Sequence, residues 1–218
     1  MSTQLSKLQF GSFLTYCPRG NSDKNQNSRD VMLALKNDKF MRKPPIPMTQ
    51  LVAERIQQNI TKLPFTSFFQ PNTILVPTPT SSLMQRDTLW VPQRIALALV
   101  KVGLGKEVVP CLKRVKPLRK AHRSPSRNRP RAAEHYESMM IQSSLSEPDE
   151  IVLVDDIVTQ GATFMGAANR LASAFPRANI RAFAVIRTIS RAHEFKKIRD
   201  PCIGTITLLP SGRTQRRP

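Results

Sequence analysis

Between residues 150 and 189 the chain reads as strand, loop, helix and strand, and no other stretch restricts its fold as strongly. EIVLVDDIV (150–158) is an apolar, β-favouring run that ends on two acids, followed by the short loop TQGAT (159–163). FMGAANRLASAF (164–175) puts Phe164, Ala167, Ala168, Leu171 and Phe175 on one helical face, and NIRAFAVIRTI (179–189) is a second strand. A strand–helix–strand unit of about forty residues is a βαβ crossover, which implies parallel strands joined right-handedly. The expected fold is therefore α/β, a Rossmann-like parallel sheet flanked by helices.

The same segment carries the chemistry. A buried strand delivers Asp155 and Asp156 to the carboxyl edge of the sheet, where ligands of open α/β folds bind. In the loop that follows, Gly161 lies between Thr159 and Thr163 and leads straight into a helix. Glycine lets backbone approach a ligand closely, and a helix N-terminus presents free N–H groups and a positive dipole end that suit a phosphate. An anion pocket beside two carboxylates fits a sugar phosphate, which needs donors for its phosphate and acceptors for its hydroxyls.

Elsewhere the pattern is less specific. TILVPTPTSS (73–82) predicts a buried strand ending in a tight polar loop, and PQRIALALVKVGL (92–104) a helix that starts near Pro92 and stops at Gly103. TQLVAERIQQNITKL (49–63) predicts an amphipathic helix with Thr49 as N-cap; PRGNSDKNQNSRD (18–30) reads as a loop, and VMLALKNDKF (31–40) as a strand or short helix. KRVKPLRKAHRSPSRNRPR (113–131) is dense in Lys and Arg, holds no acid and has three prolines, so it predicts a long mobile loop. His122 and His135 lie in or near it, and His135 is read as a packed surface side chain rather than a catalytic one. The tail SGRTQRRP, with Arg213, Arg216 and Arg217, is expected to be frayed.

Ile151–Thr163, an apolar strand, two acids, two apolar residues and T-x-G-x-T, resembles the 5-phosphoribosyl-1-pyrophosphate (PRPP) motif of type I phosphoribosyltransferases. That resemblance implies that Asp155 and Asp156 hold the ribose hydroxyls and, through water, Mg²⁺, and that Thr159, Gln160, Gly161, Ala162 and Thr163 cradle the 5′-phosphate. ILVPTPTSS is similar to the strand and pyrophosphate loop of ComF-like members, which implies a pyrophosphate-binding role for Thr80, Ser81 and Ser82. LWVPQRIALALV, RPRAAEHYES and DPCIGTI are similar to segments of the same branch, so the likeness covers most of residues 70–205. The chain departs from that branch at Arg86-Asp-Thr-Leu-Trp-Val-Pro and in lacking zinc-ribbon cysteines. Thr159 stands where purine-salvage members carry an Asp, which argues against a purine acceptor. Type I members close a mobile basic loop over the pyrophosphate, which makes Lys120 a catalytic candidate and Arg114, Lys116, Arg119 and Arg123 its companions. The implied organisation is a hood over residues 1–70 that recognises the acceptor, a phosphoribosyltransferase core over 71–205, and a basic tail over 206–218.

The formal net charge of +19 on 218 residues attracts polyanions and says nothing about fold. Two functions follow as expectations: transfer of phosphoribosyl from PRPP to an unknown acceptor with Mg²⁺, or a nucleic-acid-binding regulator or effector that senses PRPP or a nucleotide. Cys17, Cys111 and Cys202 form no metal-type pair, no apolar run is long enough to span a membrane, and MSTQLSKLQFGSFLTYC does not read as a signal peptide. A reduced, cytoplasmic protein is expected, working as a homo-oligomer or within a complex.

Overall fold

The apolar runs become the middle of one seven-stranded sheet. The computed structural model describes residues 5–85, 87–119, 129–142 and 147–218. In chain order the elements are β1 (Lys7–Tyr16), α1 (Asp23–Lys36), β2 (Phe40–Met41), β3 (Ile46–Pro47), α2 (Met48–Gln57), β4 (Ile74–Pro77), α3 (Val91–Lys101) and β5 (Glu107–Val108). They continue with β6 (Leu112–Arg114), α4 (Ala132–Glu137), β7 (Met139–Ile141), β8 (Glu150–Val158), α5 (Ala162–Ala174), β9 (Asn179–Thr188), β10 (Arg199–Leu208) and β11 (Thr214–Arg217). The sheet runs β11-β10-β1-β9-β8-β4-β5, parallel from β1 to β5 and antiparallel at the β10 and β11 end.

Alternation along β8 sorts the core into two layers. Val152 and Val154 face one side with Phe183 and Val185 of β9, covered by Leu35, Val52, Ile56, Ile95 and Leu99 from α1, α2 and α3. Ile151 and Leu153 face the other side with Ala182 and Ala184, covered by Phe164, Ala167 and Leu171 of α5 and by the β6–β7 ribbon. With both faces covered, β8 and β9 must be apolar almost throughout, as parallel strands are. Among the described residues, no helix is long and apolar enough to cross a membrane.

The N-terminal residues belong to the same architecture. Within residues 1–70, β1 is an internal strand, paired in parallel with β9 and antiparallel with β10, and Leu35, Val52 and Ile56 pack on the main core. The stretch 18–30 is not all loop, because α1 begins at Asp23, with Ser22 Oγ accepting from the Asn25 N–H. Thr49 is not an N-cap; its N–H is itself capped by Asp38 Oδ1 at 2.9 Å, while Asp38 Oδ2 takes Arg94 at 2.8 Å. The tail is also ordered. Thr214–Arg217 pairs with Thr205–Leu208 as an edge strand, and Arg216 donates to the carbonyls of Thr159 and Thr188 at 2.6 and 2.5 Å.

Candidate functional site

The site forms where β4 and β8 end side by side. Thr78 continues the pairing past β4 by donating its N–H to Val154 O at 2.9 Å, and its side chain bonds Asp155. Asp155 pairs across from Ala184 of β9, which faces the α5 side of the sheet, and its carboxyl is hydrogen-bonded to the side chain of Asp156. The Asp155 Oδ1 accepts the Asp156 N–H at 2.8 Å. Burial of its carboxyl, and then the neighbouring Asp156 carboxylate, hold the Asp155 pKa well above the ordinary carboxylate value.

Beyond β8 the chain exposes Thr159 and Gln160, then turns at Gly161 with φ +84° and enters α5. The turn is closed by Met165 N–H donating to Gly161 O at 2.9 Å. A side chain fits at Gly161 neither conformationally nor sterically: a Cβ there would stand 2.5 Å from Ile206 Cδ1. Gly166, one turn on, has a different task. Its missing side chain lets α4 settle on α5, since a Cβ would meet His135 Cβ at 2.5 Å and Ala132 O at 2.6 Å.

A cavity of about 220 Å³ opens over this loop, lined by Asp155, the stretch Ile157–Phe164, His135, Arg129, Arg131, Arg213 and Thr214. Every residue expected for phosphate binding, Thr159 to Thr163, is at its wall, and so is Asp155. Among the described residues no carboxylate pairs with the guanidinium of Arg129, Arg131 or Arg213. Arg129 Nε is buried with no hydrogen-bond partner. Three positive side chains thus converge on a helix N-terminus, an arrangement that attracts an anion.

The second loop, Thr80, Ser81 and Ser82, does not line that cavity but sits at the next strand end and is held from several sides. Trp90 Nε1 donates to Thr78 O at 2.7 Å, Leu118 N–H to Ser81 O at 2.9 Å, and Thr80 Oγ1 to Ser82 O at 2.8 Å. Arg114 reaches across from β6, with Nε on Thr80 O at 2.9 Å, Nη2 on Pro79 O at 3.5 Å and Nη1 on Ser138 Oγ.

Arg114 is therefore not part of a mobile basic loop. It is 3% exposed in a β-ribbon, and burial lowers its pKa to about 10, against the pull of nearby Asp155. We expect Arg114→Met to cost roughly 2 to 3 kcal/mol, because it strips donors from buried acceptors while keeping the stem. Urea denaturation measures that cost, and faster proteolysis within 78–90 would show the loop loosening. Lys116 and Arg119 are exposed beyond the ribbon, whereas Lys120, Arg123 and His122 lie outside the described residues.

Sequence reasoning did not place Arg129, Arg131, Arg213 or His135 at this pocket. Arg129 and Arg131 stood at the exit of a uniformly basic run, just before a helix, which is the one local hint they offered. Among the described residues no three His, Cys, Asp or Glu side chains gather as a metal site. No protein-family model matches the chain, and neither does any curated protein.

Proposed function

We propose that this site binds PRPP with Mg²⁺ and transfers its phosphoribosyl group to an acceptor, as the type I phosphoribosyltransferases that the β8–α5 segment resembles do. The observation that carries the reading is the juxtaposition of Asp155 and Asp156 with a glycine-turned helix N-terminus, beside a second, backbone-held polar loop. In this reading the Thr159–Thr163 loop takes the 5′-phosphate, Asp155 and Asp156 take the ribose hydroxyls, and Thr80–Ser82 take pyrophosphate. Carboxylate oxygens are the ligand type Mg²⁺ prefers, and this ion commonly completes its shell with water and substrate phosphates rather than with an all-protein cage. Bound there, the ion would neutralise charge on the pyrophosphate. The C1–O bond breaks with its electron pair leaving on pyrophosphate, the acceptor's lone pair bonds C1, and the acceptor's proton goes to solvent. The chain supplies positioning and fixed positive charge, from Lys116 and Arg119 with Lys120 and Arg123 after them. Pyrophosphate release in a panel of bases, nucleotides and nucleic acids tests transfer itself.

A second reading, binding of nucleic acid, is favoured by the pocket-lining arginines, which have no carboxylate partner among the described residues, and by the net charge of +19. If it holds, the chain binds a short duplex with steep salt dependence, and Arg131→Gln/Arg213→Gln lowers the slope of log K against log salt by about 2. An unchanged slope in the variant, or no binding at low salt, contradicts it.

A further inference from the structure

His135 is a buried titratable side chain at the pocket to which the proposed reading gives no task. It is 7% exposed, lies on α4, and is brought over the first turn of α5 because residue 166 is glycine. Its Nε2 is 3.5 Å from Thr163 Oγ1, and its Nδ1 is buried with no partner. Both residues line the cavity. Burial, and then the positive Arg114 behind it, keep the ring neutral, with a pKa near 3.

A neutral imidazole carries one proton, and the two nitrogens offer it unequal homes. A proton on Nδ1 would bury a donor with nothing to accept it, whereas a lone pair there is the milder deficit. The proton therefore belongs on Nε2, where Thr163 Oγ1 can accept it. Among the described residues, Thr163 Oγ1 has no other hydrogen-bond partner. Once the hydroxyl oxygen accepts from the ring, its own hydrogen must point away from the ring.

We propose that His135 is a positioning residue of the anion pocket: its Nε2–H donates to Thr163 Oγ1 and turns the Thr163 hydroxyl hydrogen toward a bound phosphate monoester. The inference rests on the PRPP reading for the identity of that phosphate, but not for the tautomer. At 3.5 Å the contact is at the long end of the hydrogen-bond range.

The test is ¹⁵N NMR of the histidine rings in the full chain, with His135→Gln identifying the His135 signals, titrated with inorganic phosphate. An Nε2–H tautomer, with its resonance moved by phosphate, is the expected result. His135→Gln, which keeps an N–H at similar reach, should hold phosphate affinity within about threefold, while His135→Leu loses about tenfold. Thr163→Val should lose the same factor, and the double variant no more than either single one. An Nδ1–H tautomer, or unchanged phosphate affinity in a folded His135→Leu, overturns the proposal; if His135→Leu does not fold, the wild-type spectra decide. If phosphate moves the His135 signal but PRPP with Mg²⁺ does not bind, the PRPP reading fails and this inference stands. If PRPP binds His135→Leu as it binds wild type, the reverse holds.

Discussion

Gly161→Ala lowers the unfolding midpoint by roughly 5 to 10 °C and abolishes anion binding at the pocket. Two costs combine at this position. The backbone sits at φ +84°, where an L side chain is strained by roughly 1 to 2 kcal/mol. The new methyl would also press into Ile206, 0% exposed in the core, at 2.5 Å, an overpacking that costs roughly 1 to 3 kcal/mol more. At this chain length each kcal/mol moves the midpoint by about 2 to 4 °C. Relief by unwinding the turn would carry the Thr159–Thr163 amides away from the pocket, so stability and binding fall together. A scanning-calorimetry midpoint unchanged within a degree contradicts the geometry.

Asp155→Asn separates the two properties. The folded protein holds the Asp155 pKa above its unfolded value of 3.8, so between 3.8 and the raised value the folded state binds more protons than the unfolded one. Stability from this group therefore falls as pH rises through that window, and at neutral pH the carboxylate is a net cost. Asparagine keeps an oxygen for the Asp156 N–H and gives the Thr78 hydroxyl a donor, while removing the charge beside Asp156. We expect the variant without ligand to be more stable than wild type at pH 7 to 8 by on the order of 1 kcal/mol, with a flatter pH profile. The proposed function requires the opposite for binding: affinity for PRPP with Mg²⁺ drops at least about a hundredfold, since charge-assisted hydrogen bonds and a cation-holding carboxylate are lost together. Denaturation at several pH values checks the first claim, and titration calorimetry the second.

The parts of the fold that were legible in the sequence are those specified locally. β8, α5 and β9 announce themselves because each is an apolar run of the right period closed by Gly, Pro or a polar turn. Of the loop read over Thr159–Thr163, Thr159–Gly161 precede the helix, while Ala162 and Thr163 open α5. β1 was not, because its partners β9 and β10 lie more than 160 residues away and nothing near it says that it joins a parallel sheet. β11 is hidden by composition. Thr-Gln-Arg-Arg becomes a strand through pairing with β10, with Arg216 anchored on two carbonyls and set over the Phe10 ring at 5.6 Å. Arg114 looked like one basic residue among many, and only the fold makes it the buried clamp of the Thr80–Ser82 loop. Asp38 caps a helix eleven residues downstream, a task no local pattern encodes. The pocket arginines were illegible because Arg213 lies far along the chain from Arg129 and Arg131, and the β10–β11 hairpin brings it to the same cavity.

The most direct test of the central claim is isothermal titration of the purified chain with PRPP, with and without Mg²⁺. The account predicts saturable binding to one site per chain, tightened by Mg²⁺ and lost in Asp155→Asn/Asp156→Asn. An absence of binding under either condition, or binding that the double variant keeps, would contradict it.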